Sequence, residues 1–173
     1  DAIQRKISIS SSIYSIETTN NNKINFIDTP GYPAFTSQVI TAVNVCESSL
    51  VVVGAVAGVE VLTKRDWRLS NKVGQSKFVF INRMDRDQSD YAKVVSQIKA
   101  LSSKIFPISI PIGNGTTFLG IADILNQKAY YNNTENKMEI KDIPDELKEK
   151  VATLRSDLME AAAENSEELL EKY

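Results

Sequence analysis

The sequence predicts an α/β fold: a mostly parallel sheet with helices on both faces, followed by a smaller mixed subdomain. Three observations predict it. As far as Gly113, short β-branched runs alternate with amphipathic helical spacings, the order that builds parallel sheets. Two of those runs end in carboxylate or amide residues, where α/β sheets place their ligands. After Gly113 the alternation gives way to short strands, Asn-rich turns and one long helix. A boundary near Gly113 is therefore expected, dividing 1–113 from 114–173.

Each element has its own signal. Ile7, Ile9, Ile13 and Ile16 lie among serines with near-alternating spacing and predict a strand. The polar cluster Thr18 to Asn22 turns the chain, and Lys23 to Asp28 returns as a second strand, giving a hairpin. Phe35, Val39, Ile40 and Val43 have helical spacing, with Pro33 placed to open the helix. Leu50 to Val53 predicts a strand buried on both faces, and so does Phe78 to Ile81. Between them, Thr63 to Val73 predicts a helix. Tyr91, Val94, Val95, Ile98 and Leu101 mark the next helix, and Phe106 to Ile112 a strand with Pro107 and Pro111 near its ends. Short strands are expected over Phe118 to Leu125, Ala129 to Tyr131 and Met138 to Ile140. A long helix follows Pro144 with Leu147, Val151, Leu154 and Leu158 on one face, and Leu169 and Leu170 suggest a last helical turn.

Composition narrows the function classes. The 173 residues hold 20 Lys plus Arg against 22 Asp plus Glu, a net charge of −2 that excludes a globally basic nucleic-acid binder. There is no histidine, which removes His-based triads and His metal sites. The longest apolar stretch, Leu50 to Val59, is about half of a membrane span and contains two glycines, so no membrane role is expected. The one cysteine, Cys46, cannot form an internal disulfide, which favours a reducing cytoplasm. Asp1 opens without methionine and Tyr173 closes a helix, so the sequence reads as part of something longer.

Two motifs can carry chemistry. In Ile24-Asn25-Phe26-Ile27-Asp28-Thr29-Pro30-Gly31-Tyr32, a carboxylate ends an apolar strand, where it can hold magnesium through water beside phosphates. Gly31 lets a backbone amide approach a terminal phosphate with no side chain in the way. Alone, the segment reads equally well as a strand running into a Pro-Gly turn. In Val79-Phe80-Ile81-Asn82-Arg83-Met84-Asp85, a second strand ends with an amide and a carboxylate three residues apart. That carboxylate can accept two hydrogen bonds from a guanine edge, with the asparagine supporting the base. Alone, this is a polar cap to a loop.

Together they resemble the translational GTPases. DTPGY at Asp28–Tyr32 resembles the family's DTPGH, and NRMD at Asn82–Asp85 its NKMD. AVAGVE at Ala55 to Glu60 is similar to elongation factor G, and Arg5-Lys6-Ile7-Ser8-Ile9 resembles the RGITI that follows the first switch region. The likeness continues through Pro107-Ile108 and Pro111-Ile112-Gly113 into LMEAAAENSEELLEKY, so it covers essentially the whole chain. It implies a P-loop-GTPase-like sheet lacking the phosphate-loop strand, with residues 114–173 as most of an inserted α+β subdomain. It further implies GTP or GDP and magnesium as ligands, bound by Asp28, Thr29, Pro30, Gly31 and Tyr32 with Asn82, Arg83, Met84 and Asp85. Asp28 would meet the magnesium through water. The implied setting is the ribosome during translocation, with the insert meeting the ribosomal stalk protein. A nucleotide-free docking module and a piece of a ribosome-protection resistance protein are the alternative readings.

The departures are equally informative. No G-x-x-x-x-G-K-[ST] occurs, and Gly113-Asn114-Gly115, which lacks the lysine and hydroxyl, reads as a turn. This sequence alone is thus expected not to hydrolyse GTP. Tyr32 stands where the family has the histidine that helps position water, and a phenol with a pKa near 10 is a poor imidazole substitute. Because the phosphate-loop strand lies mid-sheet in this family, the strands at Leu50 and Phe78 are expected to face each other with unpaired edges and to invite self-association. From Asp142 to Tyr173 there are 10 acids and 4 bases, net −6, which is a solvated helix face or the stalk-facing surface. Lys64, Arg65, Arg68 and Lys72 form a basic stretch that could touch RNA, and Trp67 beside them is expected to be core.

Overall fold

The computed structural model describes residue 4, residues 6–132 and residues 137–164. Arg5 of the switch-following segment and the last turn expected at Leu169 and Leu170 lie outside the described residues. The chain forms two units, one of residues up to 53 with 59–80, the other of 54–58 with residues from 81 onward.

In the first unit, β1 (Ser12–Glu17) and β2 (Lys23–Asp28) form the expected antiparallel hairpin, paired from Ser12↔Asp28 to Glu17↔Lys23. The turn closes through Thr18 N donating to Asn22 O at 2.8 Å, with Asn21 at φ +58°, a conformation its short polar side chain tolerates. The strand begins at Ser12 rather than Ile7. Upstream, Ser11 gives both its amide and its hydroxyl to Gln38 Oε1, and β2 offers no residue beyond Asp28 to pair with.

Pro33 opens a 3₁₀ turn (Pro33–Phe35) that leads into α1 (Thr36–Val43). β3 (Ser48–Gly54), α2 (Val61–Lys72) and β4 (Ser76–Asn82) follow, a parallel pair joined by a helix. The helix starts two residues before Thr63 because Glu60 and Thr63 cap it reciprocally. Trp67, 5% exposed, is core as expected. Buried Gln75 joins three segments: its Oε1 accepts from Ser49 Oγ at 2.6 Å, and its Nε2 donates to Val43 O and Cys46 O at 2.9 and 2.5 Å.

Two expectations about this sheet fail. β3 and β4 are not buried on both faces: Leu50 and Val52 are 55% and 57% exposed and Phe78 and Phe80 both 54%, whereas Val53 is 2% exposed. Exposure alternates along both strands, so one face alone is covered. Nor do the two strands present facing unpaired edges. They are hydrogen-bonded neighbours, because the α2 crossover brings them side by side with no strand between. What is open is the apolar face of the pair, not the edge between them.

The second unit contains α3 (Tyr91–Lys99) and an antiparallel sheet in the order β5 (Ser109–Ile112), β6 (Gly120–Asp123), β7 (Lys128–Asn132), β8 (Met138–Asp142). Gly113 lies in the turn between β5 and β6. β5 is shorter than expected because its partner β6 ends at Asp123, opposite Ser109, where the chain turns. β6 is shortened by a 3₁₀ turn at Gly115–Thr117 before it and a turn after it, where Asp123 Oδ1 accepts from Leu125 N and Asn126 N. α4 (Asp145–Ala163) starts after Pro144. Its Val151 joins Ile110, Ile112, Ala122, Ile124, Ala129 and Ile143 in the core, with Leu147, Leu154 and Leu158 packed against them as the spacing predicts. Burial against this core pushes the Tyr91 phenol up to about 12.

Candidate functional site

The first motif sits at the end of β2. Asp28 is the last paired residue of the hairpin and its side chain is exposed. Pro30 is fully buried and anchors the turn that follows. Gly31 is exposed, and a Cβ built there would meet nothing within 4 Å, so no packing in this chain requires glycine. Tyr32 is 57% exposed, precedes the 3₁₀ turn, accepts from Phe35 N at 3.0 Å and tilts against the Phe35 ring at 6.4 Å. Behind it, Arg65 donates to Thr36 Oγ1 at 2.6 Å and pairs with Asp66, which occupies one cation of the basic stretch on α2.

Among the described residues no three His, Cys, Asp or Glu side chains gather to hold a metal. Magnesium keeps its waters and takes one or two carboxylates beside substrate phosphates, and the exposed Asp28 at a strand end is a carboxylate of that kind.

The second motif ends β4, and its backbone is far more constrained. Asn82 O accepts from Ala55 N at 2.8 Å, and Ala55 O accepts from Asp90 N at 3.0 Å, so one fully buried alanine ties both ends of the loop. Asn82 Oδ1 accepts from Arg83 N at 2.8 Å. Arg83 adopts φ +63°, a left-handed conformation that costs a non-glycine residue and is tolerated where surrounding structure imposes it. The Met84 side chain is buried, and its carbonyl accepts from Gly115 N at 3.1 Å and from Ser89 Oγ at 2.9 Å. Asn82 and Asp85 present exposed side chains. Asp90 caps α3 through Lys93 N at 2.9 Å.

Thus the structure places Asp28, Thr29, Pro30, Gly31 and Tyr32 in the first unit and Asn82, Arg83, Met84 and Asp85 in the second. Ser89, Asn114 and Gly115, which hold the second loop, are residues that sequence reasoning passed over. The signal available was the Gly113-Asn114-Gly115 turn itself. It is a turn as expected, and its last glycine reaches back to the NRMD motif, with Gly115 N donating to Met84 O.

An α/β domain with a parallel pair, a strand-end Asp-x-x-Gly and a strand-end Asn-x-x-Asp has the pattern of a class, the GTPases. The Elongation factor Tu GTP binding domain family matches residues 1–170, and the chain belongs to that family. It is 36% identical over 171 residues to an elongation factor G-like protein of Thermotoga maritima, covering 98% of this chain and 24% of that protein. A crystal structure of a Thermus thermophilus protein superposes with a TM-score of 0.89 at 27% identity, over 99% of this chain and 26% of the other. The chain therefore spans about a quarter of the length of these relatives. No helix among the described residues is long and apolar enough to cross a membrane.

Proposed function

We propose that the chain forms part of the guanine-nucleotide site of an elongation factor G-like GTPase that acts on the ribosome in translocation, in the cytoplasm. In this reading Asp85 accepts two hydrogen bonds from guanine, and Asn82 supports the base with Arg83 and Met84 beside it. Asp28 meets magnesium through water, and Thr29, Pro30 and Gly31 bring a backbone amide to the terminal phosphate. Bound magnesium would neutralise phosphate charge. The observation that carries the reading is the second loop: a backbone fixed at both ends and in the middle that leaves a carboxylate and an amide exposed. Gly31 adds support, since open space around it leaves ligand approach as a reason for the missing side chain.

Residues 114–173 are proposed as the inserted subdomain, with its acidic stretch from Asp142 to Tyr173 meeting the ribosomal stalk protein. Tyr32, at the family's histidine position, is a poor organiser of water, and with no phosphate-loop lysine in the sequence the chain alone is not hydrolytic. The open apolar face of β3 and β4 supports self-association of the isolated chain.

The test is a titration with fluorescent GDP and a GTP analogue in magnesium, with light scattering on the same samples. Binding in the millimolar regime, about 4 kcal/mol, is expected, with no turnover and a mass that grows with concentration. No binding at millimolar nucleotide would overturn the nucleotide reading in favour of a docking module. A mass that stays monomeric would remove self-association.

A further inference from the structure

We infer that Ser89 is a positioning residue for base recognition, fixing the loop that carries Asn82 and Asp85 to the turn at Asn114 and Gly115. The inference rests on the guanine reading above. Ser89 is 4% exposed, and its hydroxyl has three polar neighbours. It donates to Met84 O at 2.9 Å, lies within hydrogen-bond reach of Asn114 Oδ1, and accepts from Gly115 N at 3.1 Å. A serine just before a helix is ordinarily read as its cap, but here Asp90 does the capping. The Ser89 hydroxyl is left to the loop.

The position of that hydroxyl matters because of what the rest of the loop lacks. Ala55 holds the two ends, at Asn82 and Asp90. Between them the Met84 carbonyl, one residue before Asp85, is held by Ser89 and Gly115. Arg83 beside it is in a left-handed conformation that relaxes if its neighbour is released. Gly115 is itself closely packed: it sits at φ +56°, and a Cβ there would lie 3.3 Å from Arg86 O. A carboxylate that reads guanine must reach the ring N–H and the 2-amino group together, so a small displacement of Asp85 costs the second bond first. Hypoxanthine has no 2-amino group. Loss of the Ser89 hydroxyl should therefore weaken guanine over hypoxanthine more than it weakens binding in general.

The experiment is an NMR titration of the chain with GDP and with inosine diphosphate in magnesium, read as the ratio of the two affinities. Asp85→Ala should bring the ratio close to one. Ser89→Ala should lower it about fivefold, and Ser89→Thr, which keeps the hydroxyl, should restore it. Asn114→Ala attacks the same clamp from an exposed position and should also lower the ratio, which serves if Ser89→Ala does not fold by circular dichroism. If the folded variants at 89 and 114 keep the wild-type ratio while Asp85→Ala loses it, the positioning role is wrong and the guanine reading stands. If the wild-type chain shows no preference for GDP, the guanine reading falls and takes the role of Ser89 with it.

Discussion

The two motif loops are built in opposite ways. After Asp28 the chain is anchored by buried Pro30 and the turn bond to Tyr32, with Gly31 in open space and Tyr32 mostly exposed. After Asn82 the chain is tied at both ends by Ala55, strained at Arg83 and clamped at Met84. The contrast follows from what each is proposed to recognise. Discriminating one base from another requires hydrogen-bond partners fixed to within a few tenths of an ångström, and so a rigid backbone. Meeting a phosphate or a hydrated cation depends on charge and on an unobstructed amide, which a loosely held loop supplies.

That contrast can be broken most sharply at a glycine of the clamped side. Gly113 has φ +80°, and a Cβ would lie 1.8 Å from Thr117 O, a backbone atom that cannot step aside. Gly113→Ala should cost about 2–5 kcal/mol in urea unfolding, from left-handed strain together with the steric overlap. Next in size is an effect of pH on the same unit. Tyr91 is raised to about 12, so its folded form holds its proton where the unfolded chain has lost it. Stability should be flat below about pH 10 and fall as pH rises toward 12, by about 2–3 kcal/mol, with Tyr91→Phe removing the dependence. Smallest is the matching change on the open side. Gly31→Ala should alter stability by less than about 0.5 kcal/mol, since the added methyl meets nothing, yet weaken binding of the GTP analogue more than that of GDP in the nucleotide titration. If Gly31→Ala unfolds the protein, that loop is not loosely held and the contrast collapses.

How much of this was legible in the sequence depends on whether the information was local. The hairpin was, because Thr18 to Asn22 and the flanking alternation specify it without help, and β2 has the expected limits. Helices α3 and α4 were, because apolar spacing names the face that packs. The strands at Leu50 and Phe78 were placed correctly but their burial was not. Hydrophobicity at Leu50 or Phe80 records what a residue is suited to be covered by, and the structure leaves that face open. Asn82 and Asp85, proposed to read the base, were visible as a motif. Ser89 was not, since a serine beside an aspartate at a helix start looks like a redundant cap, and one of the groups it holds, the Gly115 amide, is 26 residues away.

Gln75 bears on how the first unit finds its alignment. With apolar residues on both faces, β3 and β4 could shift by two residues and keep the same sides inward and outward, so the apolar pattern alone does not select one register. The amide of Gln75 accepts from Ser49 Oγ and donates to the carbonyls of Val43 and Cys46, three bonds that only one alignment satisfies. A shifted pairing would leave a buried amide and two carbonyls without partners. Gln75 therefore works as a key cut for one lock position, and sets the register of a strand pair that greasy side chains would let slide.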